Sequence, residues 1–267
     1  MTQLDPAPTY EVYALRYATQ PDRVAREAYF RCEIPEAPAP QDYFVWAIRG
    51  DGRTIVVDTG FSASSAQKRG RALLCHPVEA LARIGIDASA VRDVVLTHAH
   101  YDHAGNLASF PEARFHVQDK EMQYCTGRLM RHDILRRTFD VADVIALVRL
   151  LYEGRLLCHD GDVTLAPGVT LHLVGGHTQG QQVVRVATRR GPIVLASDGA
   201  HFWANLRDRN PFPILVDLGA TLEAFALIER LAASPEHIIP GHDPAVLTRF
   251  PKWRSETDIV ALHEEPL

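Results

Sequence analysis

The chain has 267 residues, of which 46% are hydrophobic and 23% are charged, and its formal net charge is −5. This amount of apolar material suits a large globular fold, and the acidic balance argues against a nucleic-acid partner. No apolar run approaches the roughly 18 residues that would span a membrane, and the first residues lack the pattern of a signal peptide, so we expect a cytoplasmic protein with no membrane partner.

The first predicted elements are two strands at residues 43–49 and 54–58, joined by a hairpin turn at Gly50-Asp51-Gly52. Helical periodicity follows over residues 64–84. A further strand is predicted at residues 92–96, where the chain is again apolar. The order of these elements predicts an α/β fold.

The central part of the chain begins with a short predicted strand at residues 113–117. Residues 119–153 contain few turn residues and carry an apolar stripe, which predicts two or three helices that cover a cleft. A helix is predicted at 221–233 and a last strand at 237–239. Between residue 160 and the late helix, the pattern predicts four strands: 163–165, 169–174, 182–187 and 192–197.

No linker rich in glycine, serine or proline divides the chain, so one domain over residues 1–267 is expected. The four cysteines are scattered and form no C-x-x-C pair. This spacing argues against a disulfide framework and against a thiolate zinc site.

Residues 98–103 read His-Ala-His-Tyr-Asp-His, which places four potential metal ligands directly after the apolar run Val94-Val95-Leu96. His98 and His100 fall on the same side of an extended segment. Imidazoles and a carboxylate are the ligands expected for zinc or a similar metal. A solvated histidine-rich loop is the alternative, and the position of the motif after a buried strand argues against it.

Three more candidate ligands follow predicted strands at the point where each strand ends: His177, Asp198 and His242. A rigid strand end can aim a side chain at a fixed point. Taken singly, each could equally be a buried core histidine or a turn aspartate. Together with the first motif they make seven ligands, enough for two metal ions with one bridging carboxylate.

With these motifs the sequence resembles the metallo-β-lactamase superfamily. The matching segments are Val57-Asp58-Thr59-Gly60, Thr97 to His103, Gly176-His177-Thr178, Ser197-Asp198 and Gly241-His242. The resemblance implies a four-layer αββα sandwich. Motif spacing is most similar to the N-acyl-homoserine lactonase branch, including the helical segment between the second and third ligand motifs.

The resemblance assigns seven side chains to a dinuclear metal centre: His98, His100 and His177 on one metal, Asp102, His103 and His242 on the other, and Asp198 bridging the two. It implies two Zn²⁺ per chain, with iron or manganese as alternatives. Asp58 resembles the family's structural acid, buried under the site and not bound to metal.

The expected activity is metal-dependent hydrolysis of a small-molecule lactone or another small carboxylic ester. Two metals can lower the pKa of a bridging water and so supply hydroxide for attack on the carbonyl. Asp102 is expected to act in catalysis as a proton shuttle. His201 stands three residues after Asp198, where the lactonase branch typically has a tyrosine that contacts the substrate carbonyl. Its imidazole N–H could take that catalytic role, and a supporting or surface histidine is the alternative.

Substrate contacts are predicted for Tyr29 and Phe30, before the first predicted strand, and for Phe202 and Trp203, directly after His201. Core packing is an equal alternative for the last two. A solvated helix face is the interpretation for the four arginines between residues 128 and 137. Two loop arginines, Arg207 and Arg209, could pair with a substrate carboxylate. Exposure to solvent without a binding role is the commoner case for loop arginines.

Three other activities remain open. Glyoxalase II-like thioesterases share all seven ligands, and an amide or imide would be hydrolysed by the same chemistry. An iron-dependent oxygenase or redox protein on the same fold belongs to a different class. The sequence also leaves the oligomeric state open, a homodimer included.

Overall fold

The computed structural model describes residues 8–267. Within these residues the chain forms thirteen strands: β1 (Glu11–Gln20), β2 (Gln41–Gly50), β3 (Arg53–Val57), β4 (Ala72–Leu73), β5 (Asp93–Val95), β6 (Arg114–Gln118), β7 (Leu156–His159), β8 (Val163–Ala166), β9 (Val169–Leu173), β10 (Gln182–Thr188), β11 (Gly191–Ser197), β12 (Ile238–Pro240) and β13 (Ile259–Ala261).

The same part of the chain contains nine α-helices: α1 (Ala25–Ala28), α2 (Ala63–Arg69), α3 (Pro77–Arg83), α4 (Asp119–Cys125), α5 (Asp133–Arg136), α6 (Val141–Tyr152), α7 (Trp203–Arg207), α8 (Leu218–Leu231) and α9 (Val246–Arg249). Four short 3₁₀ segments complete the helical elements: Ala88–Ala90, Leu107–Ser109, Arg128–Arg131 and Pro235–His237.

Two sheets face each other across an apolar core. The first has the order β13-β1-β2-β3-β5-β6-β7 with β4 paired to β1, and the second has the order β12-β11-β10-β9-β8. Successive side chains of a strand point to opposite faces. Phe44 and Trp46 of β2 therefore meet Ile193 and Leu195 of β11 in the core between the sheets.

Helices cover the outer face of each sheet. Tyr43 and Val45, the alternate residues of β2, pack in the outer core with Leu147 of α6. On the opposite side, Val194 of β11 packs against Phe225 of α8. The resulting order of layers is helix, sheet, sheet, helix, and the predicted αββα sandwich is confirmed.

Parallel pairing brings several strand ends to one edge of the sandwich. β3, β5 and β6 run parallel in the first sheet, and β11 and β12 run parallel in the second. At this edge Asp58 and Ser197 have positive φ angles, 62° and 45° respectively. The chain therefore turns sharply where β3 and β11 end, a strained conformation that occurs mainly at functional sites.

Most predicted elements are present, with small shifts at their ends. The 64–84 helix prediction is wrong in part, because β4 separates α2 from α3. Four strands are absent from the sequence-based prediction: β1, β4, β7 and β13. Residues 1–7 of the predicted domain lie outside the described residues. Among residues 8–267, no helix has the length and apolar character needed to cross a membrane.

The helical segment over residues 119–153 is fixed to α2 by one carboxylate. Asp140, just before α6, accepts hydrogen bonds from Ser65 Oγ at 2.5 Å, Lys68 Nζ at 3.0 Å and Arg69 NH2 at 3.0 Å. This contact fixes the start of α6 beside the edge where the parallel strands end.

Asp143, half-buried in the first turn of α6, should make stability depend on pH. Burial and the neighbouring Asp140 carboxylate raise its pKa from 3.8 to about 7. The folded state therefore holds the proton more tightly than the unfolded state, so stability falls as pH rises from about 4 to about 7. Asp143→Asn is expected to raise the free energy of unfolding by about 1 to 2 kcal/mol near pH 8, after allowance for solvent screening.

Urea unfolding of Asp143→Asn near pH 4 and near pH 8 checks this expectation. The substitution should change stability little near pH 4, where both states carry the proton. Asp133→Asn is the matched control, because that side chain is 83% exposed. An equal effect of Asp143→Asn at both pH values would contradict the role given to its ionisation.

Candidate metal centre

The seven predicted ligands converge at the edge where the parallel strands end. Their potential ligand atoms fall into two groups, each within 4.8 Å of one another: His98, His100, His177 and Asp198 in one, and Asp102, His103 and His242 in the other. These are the two sets implied by the sequence motifs. All seven residues are buried.

Asp198 lies between the two groups and presents one oxygen to each. Its Oδ2 is 3.1 Å from Nε2 of His177 and 3.8 Å from Nε2 of His98. Its Oδ1 is 2.9 Å from Nε2 of His242 and 3.3 Å from Nε2 of His103. This is the arrangement that a carboxylate bridging two metal ions requires.

Several imidazoles are oriented by a partner on the far side of the ring. Nδ1 of His177 is 2.8 Å from the carbonyl oxygen of Ile214, and Nδ1 of His242 is 2.8 Å from that of Asp42. A carbonyl oxygen can only accept, so each Nδ1 carries the proton and donates. Nε2 of each ring then carries a lone pair that is directed into the site, as in metal-binding histidines.

The donor atoms of the site fit divalent metal ions. Nε2 of His98, His103 and His242 and Oδ1 of Asp198 are buried without a hydrogen-bond partner. Burial lowers the pKa of His98 and His100 well below the ordinary value, so these imidazoles are neutral. Buried polar atoms without partners are costly, and a bound cation would remove that cost. Nitrogen and oxygen donors suit zinc, iron or manganese.

Asp58 lies under the site and contacts it through hydrogen bonds. Its Oδ1 accepts from the backbone N–H of Thr97 at 2.8 Å, and its Oδ2 accepts from the Thr97 hydroxyl at 2.8 Å. Nδ1 of His103 is 2.7 Å from the same Oδ2. Asp58 thus orients one ligand directly and holds the segment that leads to His98.

Glu121, in α4, is a buried residue that the sequence analysis missed. Its Oε1 accepts from the backbone N–H of Ala99 at 2.8 Å, between two ligands, while its Oε2 accepts from Thr178 Oγ1 at 2.6 Å and from the Gly180 N–H at 3.1 Å. Burial raises the pKa of Glu121 even though these donors lower it. A Cβ at Gly180 would lie 2.1 Å from the Glu121 backbone nitrogen, so only glycine fits there.

His201 is part of the cluster. Its Nε2 is 2.9 Å from Oδ2 of Asp198, and its ring stacks on Phe212 with 3.6 Å between the ring centroids. Burial lowers the pKa of His201 to about 3, which makes the imidazole neutral. The side chain expected to contact a substrate carbonyl therefore also lies within hydrogen-bonding distance of the Asp198 carboxylate.

A cavity of about 450 Å³ opens over the candidate metal ligands, a size suited to a small molecule. The structure does not place the four predicted aromatic contacts on its wall, although His201 and Asp102 do lie there. Phe202 is buried against Phe212 with Tyr29 beside it. The indole N–H of Trp203 donates to the carbonyl oxygen of Ile238, and Phe30 is exposed.

A family model described as the metallo-beta-lactamase superfamily matches residues 40–242. The chain belongs to this superfamily. The match covers all seven clustered ligands and Asp58, and it confirms the resemblance seen in the motifs.

Curated relatives of this superfamily member include N-acyl homoserine lactonases. AttM of Azorhizobium caulinodans is 28% identical over 186 residues, which are 63% of this chain and 64% of that protein. AiiA of Bacillus thuringiensis subsp. kurstaki is 27% identical over 136 residues, which are 51% of this chain and 49% of that protein. The match spans less than two thirds of the length of either relative.

Solved structures share the fold over most of the chain. A quorum-quenching N-acyl homoserine lactone lactonase has a TM-score of 0.75 at 20% identity, covering 90% of this chain and 95% of that chain. The dizinc quorum-quenching lactonase AidC has a TM-score of 0.69 at 17% identity, covering 90% of this chain and 89% of that one.

Asp58→Asn should weaken metal binding without removing a ligand. The amide nitrogen cannot accept a hydrogen bond, so at least one of Thr97 and His103 loses its partner. Changes to residues that orient metal ligands typically cost about 10- to 100-fold in metal affinity. Competition with a chromogenic chelator measures that affinity. Asp160→Asn, an exposed aspartate away from the site, is the matched control, and equal affinities in the two variants would contradict the role of Asp58.

Glu121→Gln should destabilise the fold by about 2 to 3 kcal/mol, because both carboxylate oxygens accept and an amide NH₂ would face one of the donors. Chemical unfolding of the metal-free and metal-loaded protein measures the change. Glu223→Gln, at an exposed position of α8, is the matched control. A difference below about 0.5 kcal/mol would show that Glu121 does not hold the two ligand segments together.

Proposed function

We propose that this protein is a metal-dependent hydrolase that opens a lactone or cleaves a small carboxylic ester. The position of Asp198 supports this proposal most directly, since its two oxygens face two separate ligand groups at the base of a small-molecule cavity. Water is the co-substrate. It adds across the acyl C–O bond, leaving one carboxylate, one hydroxyl group and a released proton.

Two divalent ions, which we propose to be Zn²⁺, would be held by the two groups and shared through Asp198. When bound, the metals supply a water molecule of lowered pKa and a positive charge that polarises the substrate carbonyl. Six of the ligands provide two histidine-rich sets on opposite sides of the bridging carboxylate: His98, His100 and His177, and Asp102, His103 and His242.

Asp102 is the residue that we propose moves the proton. It lines the cavity, and its Oδ2 is 3.7 Å from Nε2 of His103 and 3.9 Å from Nε2 of His242. A carboxylate in this position can take the proton released by the attacking water and deliver it to the departing oxygen.

His201 is proposed to donate a hydrogen bond within the site. Because the imidazole is neutral, one ring nitrogen carries a proton and the other does not. Proximity to Asp198 Oδ2 favours the proton on Nε2. That N–H can hold the bridging carboxylate, and it lies on the cavity wall where a substrate carbonyl would approach.

The names of the relatives favour a lactone over other carboxylic esters as the substrate of this protein. AttM and AiiA are named N-acyl homoserine lactonases, and one solved structure of this fold is described with the product N-hexanoyl-L-homoserine at its catalytic metal centre. For this chain a lactone is therefore the first substrate class to test.

The active protein is expected to contain about two metal equivalents per chain. Asp198→Ala should lower the content to one equivalent or less and lower kcat/KM for a lactone by more than about 100-fold, because it removes a ligand from both metals. Plasma mass spectrometry and a pH-indicator assay measure the two quantities. Asp208→Ala, at an exposed surface position, is the matched control. Undiminished turnover in Asp198→Ala would refute the proposal.

Assays of the same metal-loaded protein with other substrates distinguish lactone hydrolysis from the alternative activities. Lactones should be hydrolysed with higher kcat/KM than glutathione or coenzyme A thioesters and than simple amides or imides. A preference for thioesters would assign the protein to the glyoxalase II-like class. Iron as the active metal together with oxygen consumption would assign it to redox chemistry.

A further inference from the structure

Arginines line the cavity over the metal ligands, although the chain as a whole has a net charge of −5. Five contribute to the wall: Arg23, Arg26, Arg69, Arg71 and Arg137. Apart from the metal ligands Asp102 and Asp198, the one acidic residue on the wall is Glu27, which is exposed. Arginines therefore outnumber acidic residues on the wall of the cavity.

Two of these arginines are already neutralised by ion pairs. Arg26 pairs with Glu36, and NH2 of Arg69 is 3.0 Å from Oδ1 of Asp140. Within residues 8–267, none of the other three has a carboxylate within ion-pairing distance: Arg23, Arg71 and Arg137. Three unpaired guanidinium groups around one small cavity repel one another unless an anion joins them.

Arg23 is the most informative of the three because only 7% of its surface is exposed. Its guanidinium donates to the side-chain oxygen of Gln41 and, at 2.7 Å, to the backbone carbonyl oxygen of Glu27. It lies over the Phe212 ring, 4.7 Å from the centroid, and its Nε is buried without a partner. A buried charge held only by neutral groups is costly, which argues for a charged partner that arrives as ligand.

Arg71 is held in a fixed orientation on the same wall. Its Nε donates to the hydroxyl of Tyr101 at 3.2 Å, and its NH1 donates to the backbone carbonyl oxygen of Arg69 at 3.0 Å. Its NH2 makes no hydrogen bond to residues 8–267. Arg137 is exposed at the rim of the cavity, as expected for the predicted solvated face of residues 128–137.

The arginines do not serve to neutralise the ligand carboxylates. Asp198 is surrounded by imidazoles at 2.9 to 3.8 Å, and no arginine of the described chain pairs with it or with Asp102. Metal ions would add further positive charge. The guanidinium groups of Arg23, Arg71 and Arg137 are therefore left without a carboxylate partner within residues 8–267, and an anionic ligand would supply one.

We propose that Arg23 and Arg71 bind a carboxylate on the substrate, with Arg137 guiding it at the rim. This inference rests on the proposed function and narrows it to an anionic lactone or ester, a small molecule that fits about 450 Å³. Guanidinium groups recognise carboxylates with strong, directional hydrogen bonds. The loop arginines suggested by the sequence are already engaged, Arg207 with Asp208 and Arg209 with Glu229.

The test compares two lactones of nearly equal shape that differ in charge. These are γ-butyrolactone-γ-carboxylate and γ-butyrolactone-γ-carboxamide, assayed with the metal-loaded, full-length protein. The carboxylate should be preferred in kcat/KM by about 100-fold or more, with most of the difference in KM. Equal values for the two lactones would overturn the inference and leave lactone hydrolysis intact. Hydrolysis of neither would refute the proposed function instead.

Arg71→Gln removes the charge and keeps a polar side chain, shorter than arginine, that can still donate a hydrogen bond. The substitution should lower kcat/KM for the carboxylate lactone by about 10- to 100-fold. It should change kcat/KM for the carboxamide lactone by less than about 3-fold. Arg207→Gln is the matched control, since it removes the same charge from an exposed pair off the cavity wall. A parallel loss on both lactones in Arg71→Gln would show a merely structural role for Arg71.

Binding gives a readout independent of turnover, and it includes Arg23, whose loss could disturb folding. Calorimetry with tetrahydrofuran-α-carboxylate, whose ring is an ether with no lactone carbonyl to hydrolyse, should show binding that weakens about 10-fold or more in Arg71→Gln and in Arg23→Gln. Circular dichroism and thermal unfolding establish that each variant is folded. Unchanged affinity in both folded variants would overturn the inference. Tighter binding of inorganic phosphate than of the carboxylate would overturn the carboxylate assignment.

Discussion

Lone pairs that face one another in a buried volume are the constraint on which this structure depends. Ring nitrogens of His103, His177 and His242 are fixed from behind by Asp58 and by backbone carbonyl oxygens, so their free nitrogens must point inward. The oxygens of Asp198 point at the same space. Such a cluster is unfavourable by itself, and the strained backbone at Asp58 and Ser197 adds to the cost. Bound cations would remove that cost and would therefore couple metal loading to the stability of the folded chain.

The net charge of the chain is negative, whereas most charged residues on the cavity wall are arginines. The chain carries −5 overall, yet the cavity wall bears five arginines and little acidic charge outside the metal ligands. A concave, low-dielectric opening focuses the field of charges at its rim, which raises the local concentration of anions and their rate of arrival. Arg23 and Arg71 then provide fixed hydrogen-bond donors at the end of that approach.

The clustering of the candidate ligands could be predicted from the sequence, because strand ends are encoded locally. An apolar run followed by His98, His177, Asp198 or His242 is visible without any knowledge of the fold. Contacts between distant segments are not visible in this way. Glu121 resembles an ordinary exposed helix residue until the fold brings it to Ala99 and Gly180. Arg23 and Arg71 belong to segments with no motif. Phe202 is buried and Trp203 is half-buried, each against neighbours that come from elsewhere in the chain.

The two kinds of residue in the site have different origins in the chain. The candidate metal ligands follow strand ends that the core holds rigid, whereas Arg23, Arg71 and Arg137 come from three connecting segments that lie far apart in sequence. A point mutation in one of these segments can change which molecules enter without touching the ligands. Descendants of such a chain can therefore exchange charged for neutral substrates during evolution while the hydrolytic apparatus is inherited intact.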